Sequence, residues 1–194
     1  MLPESLGNMK NLQVLNLNKC KALEKLPFMG NLIKLTYLYM RECKSIKELP
    51  ESIVDCTNLV EVGLSKCVGL SHLPVAMDRW TKLEDLILTK CKHLEELPEA
   101  LGNCQRLCFL DIRACKKLTT LPRTLGKLHN LRHLDMSNCK TLVSLPEELG
   151  DLPRLRKLIL RDCKSLTTIP ESLLKFKDIT EGWPEPSQMG EAGS

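Results

Sequence analysis

The stretch Leu12-Gln13-Val14-Leu15-Asn16-Leu17-Asn18-Lys19-Cys20 decides the fold. Leu15 and Leu17 alternate with Val14, Asn16 and Asn18, a period of two that sends the leucines to one face of a short strand and their neighbours to the other. The same spelling returns at 35–43, 59–67, 83–91, 107–115, 131–139 and 155–163. Its closing residues are Cys20, Cys43, Cys67, Cys91, Cys115, Cys139 and Cys163, spaced by 23 once and by 24 thereafter. A fixed period of this length means stacked copies of one small unit. No copy can bury its leucines alone, so neighbours must stack into one continuous core with a parallel sheet along it.

Working outward, full units begin at Leu2, Leu26, Leu49, Leu73, Leu97, Leu121 and Leu145, and an eighth starts at Ile169-Pro170-Glu171-Ser172-Leu173. Each follows L-P-x-x-L-G-x-L-x-x-L-x-x-L-x-L-x-x-C-x-x-L-x-x, and the unit at Leu26-Pro27-Phe28-Met29-Gly30 has lost one residue. Pro at the second position suits the first turn of a helix and keeps the residue before it extended. Pro-Glu-Ser-Leu-Gly-Asn therefore reads as a short helix or 3-10 piece on the outer face, closed by its Gly. Strands are expected near 13–17, 36–40, 60–64, 84–88, 108–112, 132–136 and 156–160. The fold class is α/β: a solenoid over 2–174 with a curved parallel sheet inside and short helical turns outside. Residues 175–194 read as a cap remnant, with Phe176 and Ile179 over the last rung, and a disordered tail containing Trp183.

Composition narrows the function. Hydrophobic residues make 43% of the 194 and charged residues 27%, which excludes a wholly disordered chain. Leucine accounts for 39 residues while aromatics are only 4%. No apolar run is long enough to span a membrane, and Met1-Leu2-Pro3-Glu4-Ser5 lacks the basic start and apolar run of a signal peptide. A net charge of +4 is too small to imply nucleic acid. Ten cysteines invite a disulfide or metal reading, but one per repeat means one structural position reused. There is no C-x-x-C pair and no N-x-S/T sequon, so the thiols read as reduced, metal-free and cytoplasmic. Cys56 and Cys104 fall at the position Leu128 holds and read as core, whereas Cys108 reads as a half-exposed thiol at the strand edge.

The segment L-x-x-L-x-L-x-x-C resembles leucine-rich repeats. The continuation Cys91-Lys-His-Leu-Glu-Glu-Leu-Pro98 and Cys139-Lys-Thr-Leu-Val-Ser-Leu-Pro146 is similar to the repeats of plant intracellular nucleotide-binding immune receptors, especially those with a TIR domain upstream. In such repeats the Cys position often holds Asn, whose amide bonds the turn backbone; a thiol is a small buried hydrophobe with a weak donor and fills the same slot. The resemblance implies a recognition and autoinhibitory part in defence signalling. Its partner would be a pathogen effector, a guarded host protein or a neighbouring switch domain. The nucleotide-binding switch cannot be placed here, because no G-x-x-x-x-G-K-S/T occurs. The chain also begins within a repeat, so a fragment, monomeric as such, is expected. A stand-alone signalling scaffold or a ubiquitin-ligase substrate receptor is the alternative.

No catalytic or cofactor-binding set emerges. His129 and His133 straddle a loop and a strand. Asp111 and Asp135 share a column on adjacent rungs, where Arg113, Arg132 and Arg161 are expected to hold them in a surface ion-pair network. The concave face is the candidate site, because its positions escape the template. The expected contact residues are Tyr37, Tyr39, Glu61, Asp85, Phe109, Asp111, Arg113, His133, Lys157 and Arg161. Both tyrosines of the chain lie there, and amphipathic aromatics are favoured anchors. The middle rungs turn acidic at Glu61, Glu84 and Asp85, and the last turn basic at Arg132, His133, Arg156, Lys157 and Arg161. A second column, Lys21, Lys44, Lys92, Lys116, Lys140 and Lys164, reads as a solvated edge.

Overall fold

A computed structural model describes residues 2–174. Seven three-residue strands, β1 (Val14–Asn16), β2 (Tyr37–Tyr39), β3 (Glu61–Gly63), β4 (Asp85–Ile87), β5 (Phe109–Asp111), β6 (His133–Asp135) and β7 (Lys157–Ile159), pair in sequence order. Every pairing is parallel and in register, so Leu15, Leu38, Val62, Leu86, Leu110, Leu134 and Leu158 form one inward column. These side chains are all buried, as the register argument requires: a slip of one residue would expose the whole column. One hydrophobic cluster runs from Leu15 to Leu173 without a break. The architecture is a leucine-built solenoid with the sheet on its concave side and 3-10 turns on its convex side.

The strands are short because the chain turns at the same place in every rung. The third residue after each strand has positive φ seven times: Lys19, Glu42, Lys66, Lys90, Ala114, Asn138 and Asp162 lie between 56° and 65°. None is glycine, so most of these positions carry steric strain. In the first six the conformation is held because the N–H reaches the next rung, as in Lys19 to the Arg41 carbonyl at 2.6 Å and Asn138 to the Arg161 carbonyl at 2.7 Å.

The cysteine column locks this turn. From Cys43 on, each thiol of the column donates to the carbonyl of the residue just after the preceding rung's strand: Cys67 to Met40 at 3.0 Å, Cys91 to Leu64 at 3.1 Å, Cys139 to Ile112 at 3.1 Å. The same carbonyl also takes the N–H of the cysteine in its own rung, as Cys43 N to Met40 O at 3.1 Å. All ten cysteines are free thiols. One expectation fails at the end of the stack: Cys20 is exposed, because among the described residues no rung stands ahead of it to supply an acceptor and a cover.

On the convex side, 3-10 turns form at Glu4–Asn8, Glu51–Asp55, Met77–Arg79, Glu99–Asn103, Arg123–Lys127 and Glu147–Asp151, with a helix α1 at Glu171–Leu174 in the eighth unit. The unit that lost a residue has none. The template glycine does not close these turns; Gly102, Gly126 and Gly150 lie inside them. A Cβ there would run into Thr124, Glu148 and Ser172 of the next rung, so glycine is required for close approach of neighbouring turns rather than for a left-handed cap.

A second donor column stands behind the turns. Cys56, Trp80 and Cys104 are fully buried on successive rungs, and their side chains donate to the carbonyls of Met29 (3.4 Å), Ile53 (3.1 Å) and Met77 (3.3 Å). The large indole is thus flanked by two small thiols where Leu32 and Leu128 stand further along. Volume is conserved across the three rungs rather than within each. Cys56→Leu or Cys104→Leu alone should overpack against Trp80 and cost about 1–3 kcal/mol. The triple change with Trp80→Leu should cost clearly less than the sum of the single changes, by urea unfolding.

Burial pushes the thiols of Cys56, Cys91, Cys104 and Cys139 up to about 12 and that of Cys163 up to about 11. An unfolded thiol ionises near ~8.5. Above that pH the unfolded chain releases protons that the folded chain keeps, so stability falls as pH rises toward 11–12. The expected outcome is a melting temperature level up to about pH 8.5 and declining steeply beyond it. Alkylation at pH 7.5 should modify Cys20 and Cys108 and spare the buried thiols until denaturant is added.

Candidate binding face

The residues left over by the repeat template line up in columns on the sheet's outer face. One column, in strand register, reads Val14, Tyr37, Glu61, Asp85, Phe109, His133, Lys157. The next reads Asn16, Tyr39, Gly63, Ile87, Asp111, Asp135, Ile159. Alternation along each strand places them there, since the residues between them are the buried leucines.

On β2 the rings of Tyr37 and Tyr39 stand 6.2 Å apart and nearly parallel, at 14°. Tyr37 is 36% exposed, and Tyr39 is half-buried. The Tyr39 hydroxyl donates to Glu61 Oε2 at 3.0 Å. Burial and that carboxylate raise its pKa, so the phenol stays a neutral donor. Gly63 makes room for the ring: a Cβ there would stand 3.3 Å from it. Next along, burial raises the pKa of Asp85, and the acids Glu61 and Glu84 add to the rise.

Phe109 and His133 stack at 4.5 Å between β5 and β6, giving a half-buried aromatic plate in the middle of the face. Burial lowers the His133 pKa, and Lys157 lowers it further. Lys157 and Arg161 are exposed, with Arg161 3.7 Å from Asp162.

Asp111 and Arg113 differ from the expectation of a surface network. Asp111 is 2% exposed and Asp135 5%. Arg113 lies over both, with Nη2 2.7 Å from Asp111 Oδ2 and Nε 3.4 Å from Asp135 Oδ2. Thr89 donates to Asp111 at 2.8 Å, and the Ser137 hydroxyl donates to Asp135. Asp111 therefore holds the face together and offers little surface to a ligand. Arg161 pairs elsewhere, and Arg132 has no carboxylate within ion-pair distance among the described residues. The residue type at this position marks the turn but not the burial, since Asn16 makes the same contact and is exposed. Asn16, Asp111 and Asp135 each accept the N–H of the residue two further on, at 3.0, 3.0 and 2.9 Å. Asn or Asp leading into a turn commonly closes in this way.

His129 is exposed in the loop ahead of β6 and does not join His133 in a site. The lysine column after the cysteines is exposed throughout, interrupted by half-buried Val68. Cys108 is half-buried at the strand edge, its thiol 3.2 Å from the Arg106 carbonyl. Phe176, Ile179 and Trp183, expected in the cap remnant and tail, lie outside the described residues.

Arg113→Met should expose the cost of two buried carboxylates on adjacent rungs with no cation between them. We expect a loss of about 2–4 kcal/mol by urea denaturation, although the residue is itself largely exposed. A comparable change at exposed Arg161 should stay within about 0.5 kcal/mol.

A family model described as "Leucine-rich repeat region" matches residues 1–137, and one described as "Leucine Rich Repeat" matches 130–152. No curated protein matches the sequence. Among solved structures the chain is similar to the leucine-rich repeat domain of the type III effector XopL, with a TM-score of 0.63 and 24% identity over 90% of this chain and 68% of that one. It is also similar to a leucine-rich-repeat protein of Leptospira interrogans, with a TM-score of 0.60 and 24% identity over 95% of this chain. The chain spans only 53% of that relative's length. At such identity the likenesses carry the fold.

Proposed function

The chain belongs to the leucine-rich-repeat family, and we propose that it is a protein-recognition module whose concave face receives the partner. The observation that carries this reading is the gathering of free chemistry on one face. The repeat claims the leucines, prolines and cysteines for stacking, and the concave columns hold Tyr37, Tyr39, Glu61, Asp85, Phe109, His133, Lys157 and Arg161. Within that face Asp111 and Arg113 act as positioning residues, and the others make contact. Leucine-rich repeats generally bind proteins, and a row of adjustable side chains over a rigid sheet suits that task.

More specifically, the module serves as the recognition and autoinhibitory part of a plant intracellular immune receptor. The support is the repeat spelling itself, Cys-x-x-Leu-x-x-Leu-Pro, together with thiols that act as hydrogen-bond donors and so need a reducing compartment such as the cytoplasm. The partner is then a pathogen effector, a guarded host protein or an adjoining switch domain. In this reading residues 175–194 serve as the end of the array and a tail.

Co-purification from plant leaf extract tests the site. Tyr39→Ala should weaken the retained partner by about thirtyfold, the loss of an anchor worth roughly 2 kcal/mol. The fold should survive, since the ring points away from the leucine core. Reversing Lys92 and Lys116 to Glu should leave retention intact. A partner that tolerates Tyr39→Ala with Asp85→Lys, yet is lost on reversing the two lysines, would move the site to the lysine column.

A further inference from the structure

Charge is distributed along the concave face in three zones. In β3, β4 and the residue ahead of each, the charged side chains are Glu61, Glu84 and Asp85, and none has a cation within ion-pair distance among the described residues. In β6, β7 and the residue ahead of each they are Arg132, Arg156 and Lys157 with Asp135, and Asp135 is consumed by Arg113. The three bases have no acid within ion-pair distance among the described residues. Between the zones, Arg113 engages the two buried carboxylates Asp111 and Asp135, and Phe109 on His133 presents an aromatic plate.

The zones share columns. Asp85, Phe109, His133 and Lys157 are register partners in order. The residues ahead of the strands, Glu84, Cys108, Arg132 and Arg156, follow one another through hydrogen bonds from N–H to the carbonyl of the rung before. The local fields are felt by their own members: Asp85 is held up by neighbouring acids after burial, and His133 is held down by Lys157 after burial.

We propose that the partner element is an extended, dipolar peptide segment laid along the solenoid axis. Its basic residues sit over Glu61, Glu84 and Asp85, its acidic residues over Arg132, Arg156 and Lys157, and an apolar residue between them rests on the Phe109–His133 plate. The inference rests on the concave-face reading and adds the partner's chemistry and direction. Two to four strand steps of about 4.8 Å separate the charges of the two zones, roughly 10–19 Å. An extended chain at about 3.3 Å per residue covers that span in about three to six residues. An anion alone, such as a phosphate group, would use only the basic end, and a purely basic peptide only the acidic end. Opposite unpaired charges in one register favour a ligand that satisfies both.

The probes are fluorescein-labelled peptides read by anisotropy against the full chain at about 20 mM salt, where surface charges are weakly screened. The dipolar probe is Lys-Lys-Ser-Leu-Gly-Ser-Glu-Glu, used with its reversed sequence; the controls replace the acidic pair or the basic pair with serines. At least one dipolar order should bind about tenfold tighter than either control. Glu84→Lys with Asp85→Lys should lower that affinity to the level of a control, and so should Arg156→Glu with Lys157→Glu. Combining the four changes should restore binding of a dipolar probe, a rescue that a merely damaged fold cannot give. Circular dichroism melts identify any variant that fails to fold. Equal binding of the acidic control or of inorganic phosphate would overturn the proposal in favour of a simple anion site, and absence of dipolar binding would overturn it as well. In that event a natural partner still lost on Tyr39→Ala would keep the concave-face reading and remove only its dipolar ligand.

Discussion

Everything in this molecule hangs on one carbonyl per rung. The residue that follows each strand, Met40, Leu64, Leu88, Ile112 or Met136, presents a C=O that takes the N–H of the cysteine in its own rung and the thiol of the cysteine in the next. The first bond shapes the turn, and the second sets the next rung in register above it. Cys is suited because it fills a buried slot without a full polar load and still supplies a donor. A leucine there would leave the second lone pair of a buried carbonyl unmet, and a charged residue would need a partner the core lacks.

That constraint explains the strain beside it. A positive φ just before each cysteine at non-glycine residues would be unfavourable in isolation. Here the left-handed residue donates to the rung above, so its conformation is fixed by the stack rather than by its own preference. The convex glycines complete the same geometry from behind, where adjoining turns come too close for a Cβ. Between these two fixed lines the strand has three residues and no freedom of register.

The sequence makes the stack legible because leucine spacing and register are two sides of one fact. The strands centre where the period places them, and the thiols of the repeat column are buried except at Cys20, at the end of the described stack. Effects that pass between rungs are the ones a single unit does not spell. The exchange of volume among Cys56, Trp80 and Cys104 needs three units side by side. The role of the template glycine as a contact rather than a cap needs two. On the candidate face, the columns are legible and the exposures are not. Asp111 and Asp135 look outward by parity, yet neighbours on adjoining rungs cover them and Arg113 lies across both.

That covered pair explains how opposite charges persist on one face without neutralising each other. Asp135 lies on a basic rung, and left free it would draw Arg132 or Arg161. Arg113, one rung away, engages it instead together with Asp111. The acidic and basic zones then stand apart by roughly 10 Å or more, two strand steps at the nearest rungs. The screening length at physiological salt is about 8 Å, so the zones stabilise each other little across water. Long side chains also hold no fixed geometry over such a gap, and distant ion pairs contribute little. The rigid parallel sheet therefore keeps the two fields apart, where a flexible loop would let them collapse together. A ligand that lies along the sheet and displaces water from both meets each field at close range, which is where charge complementarity acts.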